Sequence, residues 1–176
     1  MKLGIVFVGA GLAALVMQGA LATLIPPPWC PDLVLLVLVG IGLRWERAPR
    51  GLVLAALIGY ATDLLSGSLL GQYALRDLAV FGGTMLATRQ LNLRGALPLS
   101  FFAASLTLVC GVAMLAITGF FVGGVEVRVR WLSAQLIHAM VAGAFAPFVS
   151  AAVGRLFDRF GDQEAGQMPM TVGRTG

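Results

Sequence analysis

Charged side chains are scarce in this chain. Only 11% of its 176 residues are Asp, Glu, Lys or Arg, whereas a soluble domain carries about 25%. With 59% apolar residues and a mean hydropathy of +0.92, a soluble core of this size cannot hide its own apolar surface, so the expected solvent is lipid. Histidine is nearly absent too. His138 is the single one, which excludes a convincing histidine-based metal centre and leaves no Ser/His/Asp constellation, since no acidic orienter lies near it on its own segment. There are two cysteines, Cys30 and Cys110, in no CxxC or Cys/His spacing. One lies in a Pro-rich loop and the other within a long apolar run, so a disulfide is not expected. HExxH, Walker and paired intramembrane Asp motifs are all lacking. No cofactor and no enzymatic activity are expected.

What the sequence has is apolar runs. Leu3–Ile25 is 23 residues long, enough to span a bilayer and longer than the roughly 7–15 residues of a signal-peptide core. Pro26-Pro27-Pro28 ends it. Five further segments follow: about Pro31–Trp45, Gly51–Ser66, Gln72–Arg89, Ala96–Val122 and Trp131–Gly154. The breaks between them carry Pro, Gly or charge. Pro147 predicts a kink in the sixth segment. The second segment is short: its uncharged run Leu33–Leu43 covers about 16 Å as a helix against about 30 Å of hydrocarbon. A re-entrant hairpin would leave Arg44, Arg47 and Arg50 at depth, at roughly 2.5–3.5 kcal/mol each. Full crossing, with packing inside a bundle, is the expectation.

Basic residues set the orientation. With six crossings and the N-terminus inside, Lys2, Arg44, Arg47, Arg50, Arg89, Arg94, Arg155, Arg159 and Arg174 face the cytoplasm, and Arg76, Arg128 and Arg130 face out, nine against three. The net charge of +4 is then explained by an anionic cytoplasmic leaflet, with no nucleic acid partner. The expectation is an all-α polytopic membrane protein with six transmembrane helices over residues 1–160, both termini cytoplasmic, and a flexible polar tail over 161–176.

Asp63, at the end of the third apolar run, is the conspicuous exception to this apolar pattern. A Gly/Ser break follows it, Ser66-Gly67-Ser68 with Gly71, and then Gln72, Arg76 and Asp77. Asp63 has a functional reading, as proton carrier or ligand contact. It also has a structural one, as a partner of Arg76 or as a cap on the first N–H groups of the fourth helix. The Gly/Ser break lacks the Lys and the strand-loop-helix context of a phosphate cradle, and reads as a tight turn. Gln135 and His138 share one face of the sixth segment. They join Asp63, Gly67, Gly71, Gln72, Arg76 and Asp77 in an expected outer polar cluster; an ordinary interhelical hydrogen bond is the alternative. Small residues recur at four-residue spacing: Ala79, Gly83 and Ala87 on the fourth segment, Ala139 and Gly143 on the sixth, Ala10 and Ala14 on the first. Such faces admit a close helix neighbour, either within the bundle or on a partner.

Pro31-Asp32 before an apolar run and an Arg-rich turn, followed by Gly59, then Asp63-Leu-Leu-Ser-Gly-Ser-Leu-Leu-Gly71, Ala74 and Leu75, resembles the MreD family, the rod-shape-determining membrane proteins of bacteria. The likeness covers roughly residues 31–95. Family members often carry a basic or polar residue just after the second glycine; Gln72 fills that slot here, and the charge comes at Arg76. The resemblance implies a non-enzymatic scaffold of the bacterial inner membrane within the cell-elongation complex that builds sidewall peptidoglycan. Its direct partner would be the single-span protein MreC. RodA with its transpeptidase partner and MreB filaments would be further associates.

The family is also thought similar in fold to the S components of energy-coupling-factor vitamin transporters, which keeps a small-molecule carrier as the alternative. Its site would lie among Asp63, Gln72, Arg76, Gln135 and His138, with Tyr60, Tyr73 and Trp131 as the nearby aromatics. An Ala-rich first-helix face, as at Ala10 and Ala14, is what such components use to dock on their motor.

Overall fold

Residues that repeatedly lack a polar side chain have their backbone groups satisfied most simply by helix, and helix is the regular secondary structure of the computed structural model, which describes residues 2–45, 48–67, 69–93, 95–122 and 129–165. Six helices follow one another: α1 (Lys2–Leu24), α2 (Leu33–Gly42), α3 (Ala48–Ser66), α4 (Gln72–Gln90), α5 (Ala96–Val122) and α6 (Val129–Ala165). Three proline residues follow α1, where the missing N–H groups stop the ladder. Asp32 caps α2: its Oδ1 accepts from the Leu35 N–H at 3.1 Å, satisfying one of the orphan donors of the first turn. Gly71 precedes α4 with φ +95°, a left-handed conformation that a side chain resists.

Contacts fix the helix directions. Phe7, near the start of α1, meets Trp45 just beyond α2 with ring centroids 5.2 Å apart. Gln18, towards the end of α1, accepts from the Val34 N–H at the start of α2. These two helices are therefore antiparallel. In the same way Gly51 lies against Phe81 and Gly59 against the Tyr73–Ala74 backbone, making α3 and α4 an antiparallel hairpin. Gly143 lies against Ser100 and Gln135 against Thr107, which sets α5 against α6. Asp32 meets Arg76 near the starts of α2 and α4, and Gly42 meets Thr84 farther along both, so these two run parallel. The bundle thus has an Asp63 end, where α2 and α4 begin, and an Arg44 end, where α1, α3 and α5 begin. Phe157 of α6 touches Trp45 at the Arg44 end.

Three helices are long and apolar enough to cross a membrane: α1 over Gly4–Leu24, α5 over Ala96–Phe121 and α6 over Trp131–Phe160. They present large apolar side chains outward, among them Val16, Phe101, Val112, Met140 and Phe148. The short helix α2 does the opposite. All ten of its residues are buried, surrounded by α1, α4, α5 and α6. Its length of about 15 Å is accommodated in the middle of the bundle, so other helices supply the surface it would otherwise show to lipid.

In a lipid solvent such burial yields little hydrophobic gain, and close van der Waals packing must hold the helices together. Gly59 shows how. A Cβ there would stand 2.5 Å from both the Ala74 Cα and the Tyr73 carbonyl oxygen, so α3 and α4 touch backbone to backbone. Buried hydroxyls return to their own helices: Thr62 donates to Ile58, Thr84 to Val80 and Thr107 to Ala103. This satisfies them without an external partner.

Two expectations are revised. The sixth segment, placed at Trp131–Gly154, is a helix over Val129–Ala165 with Pro147 inside it. The helix runs on because Val153 and Gly154 are buried and Phe157 packs on Trp45. The polar tail, expected from residue 161, is therefore helical as far as Ala165; residues 166–176 lie outside the described residues, as do Ser68, Arg47, Arg94 and Arg128.

Candidate functional site

The polar groups of the Asp63 end form two linked arrangements. In the first, the Asp63 carboxylate reaches from the last turns of α3 to the start of α4. Its Oδ2 accepts from the Gly71 N–H at 2.9 Å and the Ala74 N–H at 3.2 Å, and its Oδ1 from the Tyr73 N–H at 2.9 Å. These are among the donors a helix start leaves without intrahelical partners, and the positive end of the helix dipole favours the anion. Gly67 at φ +64° and Gly71 at φ +95° turn the chain so that it returns over its own carboxylate. Asp63 is 1% exposed.

The second arrangement centres on Arg76. Its Nη1 donates to Asp32 Oδ2 at 2.6 Å. Its Nε donates to Asp77 Oδ1 at 2.9 Å, its Nη2 lies 2.8 Å from the same oxygen as an ion pair, and its guanidinium lies 4.6 Å from the Tyr73 ring centroid. This geometry combines charge-assisted hydrogen bonds with a cation–π contact. Asp32 therefore does two tasks: one oxygen caps α2 and the other pairs with α4. Asp77 is fully buried, and its Oδ2 has no hydrogen-bond partner among the described residues.

Two carboxylates thus hold one guanidinium, and a third, Asp63, sits on the helix start nearby. The starts of α2 and α4 each add about half a positive charge, which helps to offset the carboxylates. Tyr73 joins the two arrangements, with its N–H on Asp63 and its ring on Arg76.

Of the two structural readings of Asp63, capping of α4 is the one observed. The carboxylates that Arg76 engages are Asp32 and Asp77. Gln72 donates to Thr118 Oγ1 at 3.2 Å and ties α4 to α5. Gln135 donates to the Thr107 carbonyl at 3.1 Å and lies on Gly111, where a Cβ would collide with it. It is an α5–α6 fastener. Half-buried His138 makes no hydrogen bond among the described residues, and none joins Gln135 or His138 to the carboxylates. Their expected place in the polar cluster gives way to α5–α6 packing.

Asp32 is the participant that the sequence reading of the cluster omitted. A carboxylate immediately before an entirely apolar helix was its signal. Gln18, which accepts from the Val34 N–H at 3.2 Å, supports the same helix start.

The small-residue faces separate clearly. Gly143 meets the Ser100 carbonyl, and Ala139 is 2% exposed. This face receives α5, so its candidacy as a partner interface is withdrawn. Ala14 on α1 is buried and Ala10 packs on the core. On α4, by contrast, Ala79 is exposed, and a Cβ on Gly83 would meet nothing within 4 Å. Ala87 is half-buried on the same face.

Both cysteines are free. Burial, helped by Asp32, raises the Cys30 thiol pKa above its ordinary value and disfavours the reactive thiolate. Among the described residues, no group of three or more His, Cys, Asp or Glu side chains is arranged to hold a metal ion. The arrangement locks helix ends together, with its charges directed at one another. No family model, curated protein or solved structure matches the chain.

Proposed function

We propose that this chain is a non-catalytic membrane scaffold of the MreD type, which binds the single-span protein MreC and helps to organise the cell-elongation complex in the bacterial inner membrane. The observation that carries the reading is the uncovered face of α4. Of three small-residue faces, those on α1 and α6 are filled within the bundle, and Ala79/Gly83/Ala87 is left open. A single-span helix is the kind of partner such a face accepts. The motif that carries the family resemblance supports it as well, because Asp63, Gly59 and Gly71 together fasten the α3–α4 hairpin that presents this face.

The topology proposed with it is six crossings with both termini in the cytoplasm. Alternating helix directions and the bias of basic residues towards the Arg44 end support it.

Co-purification from detergent tests the partner. MreC is expected to accompany the wild-type chain, and Gly83→Leu is expected to lose it with folding intact, because the added side chain enters open space. Retention of MreC by a folded Gly83→Leu variant removes α4 as the interface. A reproducible thermal shift with a vitamin, without MreC binding, favours the carrier reading instead.

A further inference from the structure

The Arg44 end contains a cleft of about 620 Å³, which is within the size range of small-ligand sites. It lies where α2 and α4 end and α5 begins, against the Pro147 region of α6. Its polar lining is Arg44, Thr88, Asn92 and Ser150, and the remainder is largely apolar, Leu91 and Leu99 included.

Among the described residues, the Arg44 guanidinium hydrogen-bonds only to neutral groups. Its Nη1 donates to the Gly40 carbonyl at 3.5 Å and to Ser150 Oγ at 3.3 Å, both long contacts, and among the described residues no carboxylate pairs with it. The side chain is nonetheless placed, lying across Gly154 so closely that a Cβ there would stand 2.6 Å from Nη2. The start of α5, at Gly95 and Ala96, also borders the cleft and adds the positive end of a long helix dipole.

We propose that this cleft binds an anionic phospholipid, with its phosphate on Arg44 and the first turn of α5 and its glycerol and upper acyl carbons along the apolar wall. A planar guanidinium with unused donors is matched to phosphate oxygens, and basic pockets between membrane helices on the cytoplasmic side recognise anionic headgroups. The apolar lining selects a lipid over a free phosphate, which would leave that wall wet. The inference rests on the membrane reading, and it is independent of MreC.

Native mass spectrometry of the detergent-purified full chain tests it, using phosphatidylglycerol, phosphatidylcholine with the same acyl chains, and inorganic phosphate as probes. Phosphatidylglycerol should be retained about tenfold more tightly than phosphatidylcholine, because the two share the phosphate but phosphatidylcholine brings a quaternary ammonium that Arg44 and the α5 start repel. Arg44→Gln should abolish that preference. Asn92→Asp is nearly isosteric and lies in the loop after α4, so it adds repulsion beside the cleft; it should weaken the preference and decides the matter if Arg44→Gln does not fold. Equal retention of the two lipids, or a preference unaffected by the decisive variant, overturns the proposal. Displacement of phosphatidylglycerol by millimolar phosphate would assign the site to a free anion and overturn the lipid. MreC co-purification from the same preparations separates a failure here from a failure of the scaffold reading.

Discussion

The two ends of the bundle treat charge in opposite ways. At the Asp63 end three carboxylates and one guanidinium are buried, and they are directed at each other or at helix starts. At the Arg44 end a guanidinium is exposed beside an open cleft, and its hydrogen-bond partners among the described residues are a hydroxyl and a carbonyl. Both ends carry an arginine near a helix end, so residue type does not set the difference. What differs is whether the described residues supply the counter-charge. Where they do, the arginine is structural. Where they do not, the counter-charge is left to the surroundings.

Substitutions can break this contrast, and the largest effect is expected at Arg76. Arg76→Leu strands Asp32 and Asp77 without a cation and should lower stability by about 3–5 kcal/mol, read from unfolding in mixed detergent. A loss under about 1 kcal/mol would mean the cluster is wetter than its burial implies.

Next comes the α3–α4 hairpin. Gly59→Ala forces apart two backbones and should cost about 1–3 kcal/mol. Asp63→Asn, which replaces one acceptor oxygen by a donor facing other donors, should cost a similar 1–3 kcal/mol. Both are measurable as a fall in Tm.

Asp77→Asn should be milder, within about 1 kcal/mol. The Oδ1 contact to Arg76 can persist, and the group lost at Oδ2 has no hydrogen-bond partner among the described residues.

Smallest is Arg44→Gln, within about 1 kcal/mol in detergent, as befits an exposed charge without an ionic partner among the described residues. A loss comparable to that of Arg76→Leu would erase the distinction between the ends.

Much of this was legible in the sequence. The boundaries of α1, α4 and α5 followed from where apolar runs meet Pro, Gly or charge. Asp63 stood out because a carboxylate beside an apolar run needs compensation, and capping of the next helix was one of its two structural readings.

The pairing of Arg76 with Asp32 was not legible, because it joins residues 44 apart in sequence through a packing of α2 on α4 that no periodicity encodes. Gln135 and His138 misled for a related reason: helical spacing puts them on one face but does not say which neighbour that face meets.

The central position of α2 was hidden by the solvent. An all-round apolar helix in a soluble protein is a core helix; in a membrane chain, lipid satisfies the same pattern, and only the short length hinted at shelter. The extension of α6 past Gly154 was obscured by Arg155, Asp158 and Arg159, which read as the end of a span although a helix can leave the membrane and continue.

The reach of Asp63 across to the first N–H groups of α4 bears on how the chain enters the bilayer. Neither α3 nor α4 is among the helices apolar enough to cross by that measure alone, and each carries a group that is costly in hydrocarbon until the other arrives: a carboxylate on one side, a fan of bare amide donors on the other. On the proposed topology of six crossings, the two helices are therefore best inserted as a closed pair, with the turn already formed. On that topology the hairpin, rather than the single helix, is the unit of membrane assembly in this part of the molecule.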